Sequence, residues 1–309
     1  MHKHQQQSLI RVILLVLATL IPAGGHAAAE TKTIRNYIFG NSLIHHLTPS
    51  DETTVPYWLH HLAVAAGHKY AVDGQWGFPE DFIKTLPPIA QWKFKGVPVV
   101  WDRHRGPFGK ADYNVFIMNP ANFIQYRAPD ESPGFLGLTG SSQVDVALTL
   151  FDWLKKNSSR THARHFVYEG WAAMGSFSKH FPPDADGMRG YHTLNQGSYH
   201  AWYVEFVRLL NEKRPGLDVR LMPVASLLSK LLSEAPLDAL TPDDLYSDLS
   251  PHGTATTYFL AALIVYTMLY EEAPPAHFTA TPAVNSLVRE RYQEIAGIVC
   301  TSIRGAGNC

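Results

Sequence analysis

Tyr37-Ile38-Phe39-Gly40-Asn41-Ser42-Leu43 is the stretch whose reading decides the fold. Its aromatic and apolar triplet reads as a short buried strand, and Gly40-Asn41-Ser42 ends that strand with residues that tolerate a sharp turn. Ser42 then stands at the carboxyl end of a strand, the edge at which open α/β sheets bind ligands. The competing reading is a serine that only caps the next helix.

Working outward, residues 56–66 carry a helical pattern opened by Pro56 and closed by Gly67. Residues 68–73 alternate as a second strand, ended by Gly74-Gln75-Trp76-Gly77. Residues 78–109 are broken by five prolines, and with Trp92 and Trp101 they pack over the sheet or wall a cleft. A third, central strand is expected over 112–118, ending in Asn119-Pro120-Ala121-Asn122. Residues 142–156 form an amphipathic helix with Val144, Leu148, Phe151 and Leu154 on one face. A fourth strand over 165–168 ends in Glu169-Gly170-Trp171, residues 191–214 are partly helical, and 218–222 form a fifth strand. Strands alternating with helices imply a three-layer α/β/α sandwich with a mostly parallel, flavodoxin-like sheet. Right-handed crossovers would bring Ser42, Gly74, Asn119 or Asn122 and Glu169 to one edge.

Near the other end, Tyr246-Ser247-Asp248-Leu249-Ser250-Pro251-His252-Gly253 precedes a long apolar helix over 254–270. A serine hydroxyl needs a base within hydrogen-bond reach and a third group to orient that base, and His252 and Asp248 are candidates for the two roles. Gly-Asn-Ser-Leu after the first strand, with an Asp and a His before the last large helix, resembles the SGNH/GDSL hydrolase family of serine esterases. That resemblance implies a carboxylic ester hydrolase with Ser42, His252 and Asp248 as its triad and no cofactor. It also implies an oxyanion hole made by the Ser42 amide, a glycine after the second strand and an asparagine after the third. Gly74 is expected in the glycine role and Asn122, or alternatively Asn119, in the asparagine role.

Three departures from the family pattern stand out. The third block, Asn119-Pro120-Ala121-Asn122, lacks the family's glycine. Asp248 and His252 are one residue further apart than the usual Asp-x-x-His, which leaves Asp243 or Asp244 as alternative orienting acids. Asn41 replaces an aspartate and can make the same local turn contacts without the charge.

Residues 1–29 combine basic groups, an apolar run over 12–21 and small residues near Ala27 and Ala29, so they read as a secretory signal peptide. Residues 30–309 read as one domain, periplasmic or secreted, with no stable membrane span after cleavage. Removing the leader takes away Lys3 and Arg11 and moves the formal charge from -1 to -3, which argues against nucleic acid as a partner. Cys300 and Cys309, the only cysteines, are close enough in sequence to close a small disulfide loop in an exported protein. The pairs His45/His46 and His60/His61 lack metal-ligand spacing, so no metal is expected, and His45 or His46 lines the cleft beside Ser42 or faces solvent. A Gly-x-Ser-x-Gly elbow and the phosphate-cradling glycine motifs are absent. The expected substrate is a small-molecule or polysaccharide ester, with an acyl group on carbohydrate or lipid. The alternatives are an acyltransferase on the same fold and a non-catalytic carbohydrate-binding or envelope protein with a decayed site.

Overall fold

Val115-Phe116-Ile117-Met118 is apolar at every position, the pattern of a strand covered on both faces. It is the middle of a five-stranded sheet in the computed structural model, which describes residues 30–102, 104, 106–134 and 140–309. The expected signal peptide lies outside the described residues. The strands are β1 (Thr33–Gly40), β2 (Lys69–Trp76), β3 (Val115–Met118), β4 (Arg164–Tyr168) and β5 (Val219–Met222). All pairs are parallel and the order is β2-β1-β3-β4-β5, as the alternation of strand and helix implied. The order reverses between β1 and β3, so the crevice beyond those two strand ends is the natural place for a ligand.

The helices are α1 (Val55–Ala65), α2 (Pro79–Lys84), α3 (Gln143–Asn157), α4 (Ala185–Gln196), α5 (Ser198–Lys213), α6 (Val224–Leu232), α7 (Pro242–Leu245), α8 (Ala255–Tyr270), α9 (Ser286–Glu290) and α10 (Tyr292–Arg304). Helix α8 packs against α1, α6 and α10, while α3 packs against α2 and α5, which gives the two helical layers. Nearly every residue of α8 is buried, so its all-round apolar sequence serves the interior. Among the described residues no helix is long and apolar enough to cross a membrane. Helix α3 starts where a capping box forms: Ser142 Oγ accepts from Asp145 N (3.1 Å) and Ser142 N donates to the Asp145 carboxylate (3.2 Å).

One local expectation is corrected. Gly74 does not end its strand, because β2 runs on to Trp76 and Gly74 lies opposite Ile38 of β1. Its role is steric: a Cβ there would come within 2.3 Å of the buried Trp92 indole. Of the two tryptophans in the irregular 78–109 segment, Trp92 thus packs on the edge strand of the sheet. The stretch 191–214 is partly helical as expected, and α4 gives way to α5 at Gly197, where a Cβ would meet Thr193 O at 2.9 Å. Cys300 and Cys309 are bonded to each other, which ties the last residues to α10.

Candidate functional site

Beyond β1 the chain makes one tight turn. Asn41 O accepts from both Ile44 N and His45 N at 3.0 Å, while Asn41 Oδ1 accepts from Leu43 N at 3.0 Å. The asparagine side chain thereby shapes the turn that has Ser42 near its tip. Asn119 Nδ2 donates to the same Asn41 Oδ1 at 2.9 Å, which fastens the turn to the end of β3. Ser42 is half-buried, and its carbonyl accepts from Tyr258 Oη at 2.5 Å. Among the described residues neither Ser42 Oγ nor the Ser42 amide holds a hydrogen bond.

The second component is a loop closed by pairing of Tyr246 with Gly253 and by Ser247 N donating to His252 O at 2.9 Å. Asp248 sits inside it. One carboxylate oxygen accepts from Ser250 N (2.8 Å) and His252 N (3.2 Å), and the other accepts from His252 Nδ1 at 2.6 Å. These bonds show how the extra residue between acid and histidine is accommodated: the loop wraps around the carboxylate. Burial would raise the Asp248 pKa, but the bonds from His252 and Ser250 outweigh it and hold the group below its ordinary value. With Nδ1 donating to Asp248, neutral His252 presents Nε2 as an acceptor. Asp244 is engaged elsewhere, capping α7 through Thr241 and accepting from Asn285 Nδ2 at 2.9 Å, and Asp243 is exposed.

Two contacts bring the turn and the loop to one rim, and a third ties the loop to the segment beyond β3. Tyr258 bonds to Ser42 O, while its ring packs so closely on Gly253 that a Cβ there would approach to 2.9 Å. The His46 ring stacks on His252 with centroids 4.3 Å apart and planes 11° from parallel. Trp171, beyond β4, donates its Nε1–H to Pro251 O at 2.8 Å and accepts from Asn122 Nδ2 at 3.1 Å. No hydrogen bond joins Ser42 Oγ to His252 Nε2.

The remaining expected residues divide. Asn122 is half-buried at the rim, and only one of its two amide hydrogens is used on Trp171. Asn119 is fully buried, and its side chain packs against Gly170 as well as Asn41, so it braces strand ends and is shut off from a substrate. Gly74 lies two residues short of the rim. Gly77, the first residue beyond β2, spends its amide on Gly40 O at 2.9 Å.

Glu169 does not converge on Ser42. It is fully buried and accepts from His200 Nδ1 (2.7 Å), Ser226 Oγ (2.8 Å) and Ser226 N (3.2 Å). Sequence order gave no sign of this, because its partners lie 31 and 57 residues downstream. Of the two adjacent histidines, His45 packs between Trp92 and Phe94, and burial lowers its pKa to about 4. His46 faces the rim. Among the described residues no three His, Cys, Asp or Glu side chains gather as a metal site.

No family model matches the chain, and no curated protein matches it. One solved structure similar to it, described as "a putative SGNH hydrolase from Slackia heliotrinireducens", is 17% identical over 76% of this chain and 97% of that chain, with a TM-score of 0.38. A superposition that loose carries no argument about activity.

Proposed function

We propose that the chain is a serine hydrolase of the SGNH type that cleaves an ester, the acyl group being carried on a carbohydrate or a lipid. The observation that supports this most is the His252 imidazole, bonded at 2.6 Å to Asp248 and held on the same rim as a serine with an uncommitted hydroxyl and amide. In this reading Ser42 Oγ attacks the ester carbonyl carbon while its proton passes to His252 Nε2. Asp248 stabilises the imidazolium. The carbonyl oxygen takes up the negative charge and is met by the Ser42 amide and the remaining Asn122 amide hydrogen, each such donor being worth about 3 kcal/mol in the transition state. His252 then returns the proton to the departing alkoxide, leaving an acyl-serine. Water, deprotonated by His252, repeats the sequence and releases the acid.

Export belongs to the same proposal, supported by the leader-like composition of residues 1–29 and by the disulfide at the carboxyl end. The missing Ser42–His252 bond favours a second reading, a non-catalytic carbohydrate-binding or envelope protein on this fold. Hydrolysis of p-nitrophenyl acetate by the purified chain separates the two. Turnover that disappears in Ser42→Ala supports the hydrolase, and a parent protein without turnover supports the binding protein. If candidate sugars yield acylated product when added to the assay, the acceptor is a sugar hydroxyl and the protein is an acyltransferase.

A further inference from the structure

We propose that His46 is a positioning residue for the base of this site: its ring fixes the plane of the His252 imidazole, so that Nδ1 stays on Asp248 while Nε2 stays turned to the rim. The inference rests on the reading of Ser42 and His252 given above. A single hydrogen bond at Nδ1 fixes one point of the His252 ring and leaves its plane to swing, and the side chain is 27% exposed. The near-parallel stack supplies the missing constraint, at 4.3 Å and 11°. His46 can supply it because its own backbone is held: His46 N donates to Thr53 O at 3.2 Å, and His46 O accepts from Thr48 N at 2.9 Å. It also stands in the turn that carries Ser42, so base and nucleophile share one support.

The charge relations fit the role. His252 and Asp248 face His46 across the stack, His45 adjoins it in its own turn, and Asp51 acts on His45. Burial lowers the His46 pKa, the charge of His252 lowers it further, and Asp248 opposes both. Burial and the charge of His252 both disfavour a charged His46, and an uncharged aromatic face stabilises a cation stacked on it, whereas a second cation would repel it. His46 Nδ1 is buried without a hydrogen-bond partner, so no polar contact accounts for the residue and the flat ring is what the site uses.

The test compares His46→Ala and His46→Phe with the parent chain by two readouts. In ester hydrolysis His46→Ala is expected to lose kcat roughly tenfold with KM nearly unchanged, while His46→Phe, which restores a ring, recovers most of the loss. In proton NMR the low-field His252 Nδ1–H signal is expected to persist in the parent and in His46→Phe and to broaden away in His46→Ala. An alanine variant with parental kcat and an intact ring-proton signal overturns the inference, as does a phenylalanine variant no better than alanine. A parent chain without esterase activity defeats the hydrolase reading instead, and the NMR comparison still decides whether His46 holds the ring.

Discussion

Two acid–imidazole pairs lie along the carboxyl edge of the sheet, at nearly the same distance: Asp248–His252 at 2.6 Å and Glu169–His200 at 2.7 Å. A serine hydroxyl belongs to each neighbourhood, yet the order of the groups differs. Around Glu169 the carboxylate is in the middle, accepting from His200 on one side and Ser226 on the other. Ser226 cannot hand its proton to an imidazole from there, and its hydroxyl is spent on the acid. At His252 the acid holds Nδ1, and in the proposed reading the imidazole comes between that acid and Ser42, with Nε2 free to take the proton. Burial separates them as well, since the Glu169 side chain is wholly enclosed while that of Asp248 is 43% exposed. An enclosed charge held by three donors is a structural bolt, whereas a half-exposed pair at a rim can meet a reactant. The number of groups in contact says little about chemistry; which group lies between the other two says much more.

The contrast can be broken most sharply at the serines. Ser42→Ala should reduce esterase turnover by at least about 10³-fold, while Ser226→Ala should leave turnover near parental and lower stability by roughly 1 kcal/mol in urea unfolding. The acids come next. Asp248→Asn is expected to cost about 10³-fold in kcat by removing the group that orients and charges the base. Glu169→Gln should leave kcat close to parental while costing about 3 kcal/mol of folding free energy, because His200 and the Ser226 donors lose a buried anion. Gly74→Ala probes neither pair: a methyl group 2.3 Å from the Trp92 indole should destabilise the edge of the sheet by about 2 kcal/mol without a direct effect on chemistry.

The smallest effect concerns pH. The bond to Glu169 raises the His200 pKa above its ordinary 6.5, against the opposing effect of burial. A histidine raised by folding gives its full stabilisation below that ordinary value and loses it as pH rises through the folded value. Stability should therefore decline as pH rises above 6.5, and Glu169→Gln should flatten that part of the profile in thermal melts. Asp248 has the opposite sign: it is lowered, so its contribution is present at neutral pH and fades as acid protonates it.

Much of the sheet was legible in the sequence because its signals are local. Apolar runs such as 115–118 and the one-sided apolar spacing of 142–156 announce a strand and a helix without knowledge of any partner. Gly74 was misread for the same reason. A glycine in an alternating stretch looks like a turn until the Trp92 ring that fills its place is known, 18 residues on. At the site the turn chemistry of Gly40-Asn41-Ser42 was legible, and so was the pairing of an aspartate with a histidine in one short loop. The diversion of Glu169 into a buried cluster was not, nor was the stacking of His46, because both depend on how distant elements meet. Asn119 and Asn122 were equivalent as letters. Only the fold distinguishes the enclosed brace from the residue with an amide hydrogen to spare.

The central claim is that Ser42, and no other hydroxyl, is the nucleophile. Labelling of the purified chain with a fluorophosphonate, followed by peptide mass spectrometry, tests it directly. The adduct should appear on the peptide containing Ser42 and vanish in Ser42→Ala. An adduct on Ser226 or on any other residue, or labelling that survives in Ser42→Ala, contradicts the account.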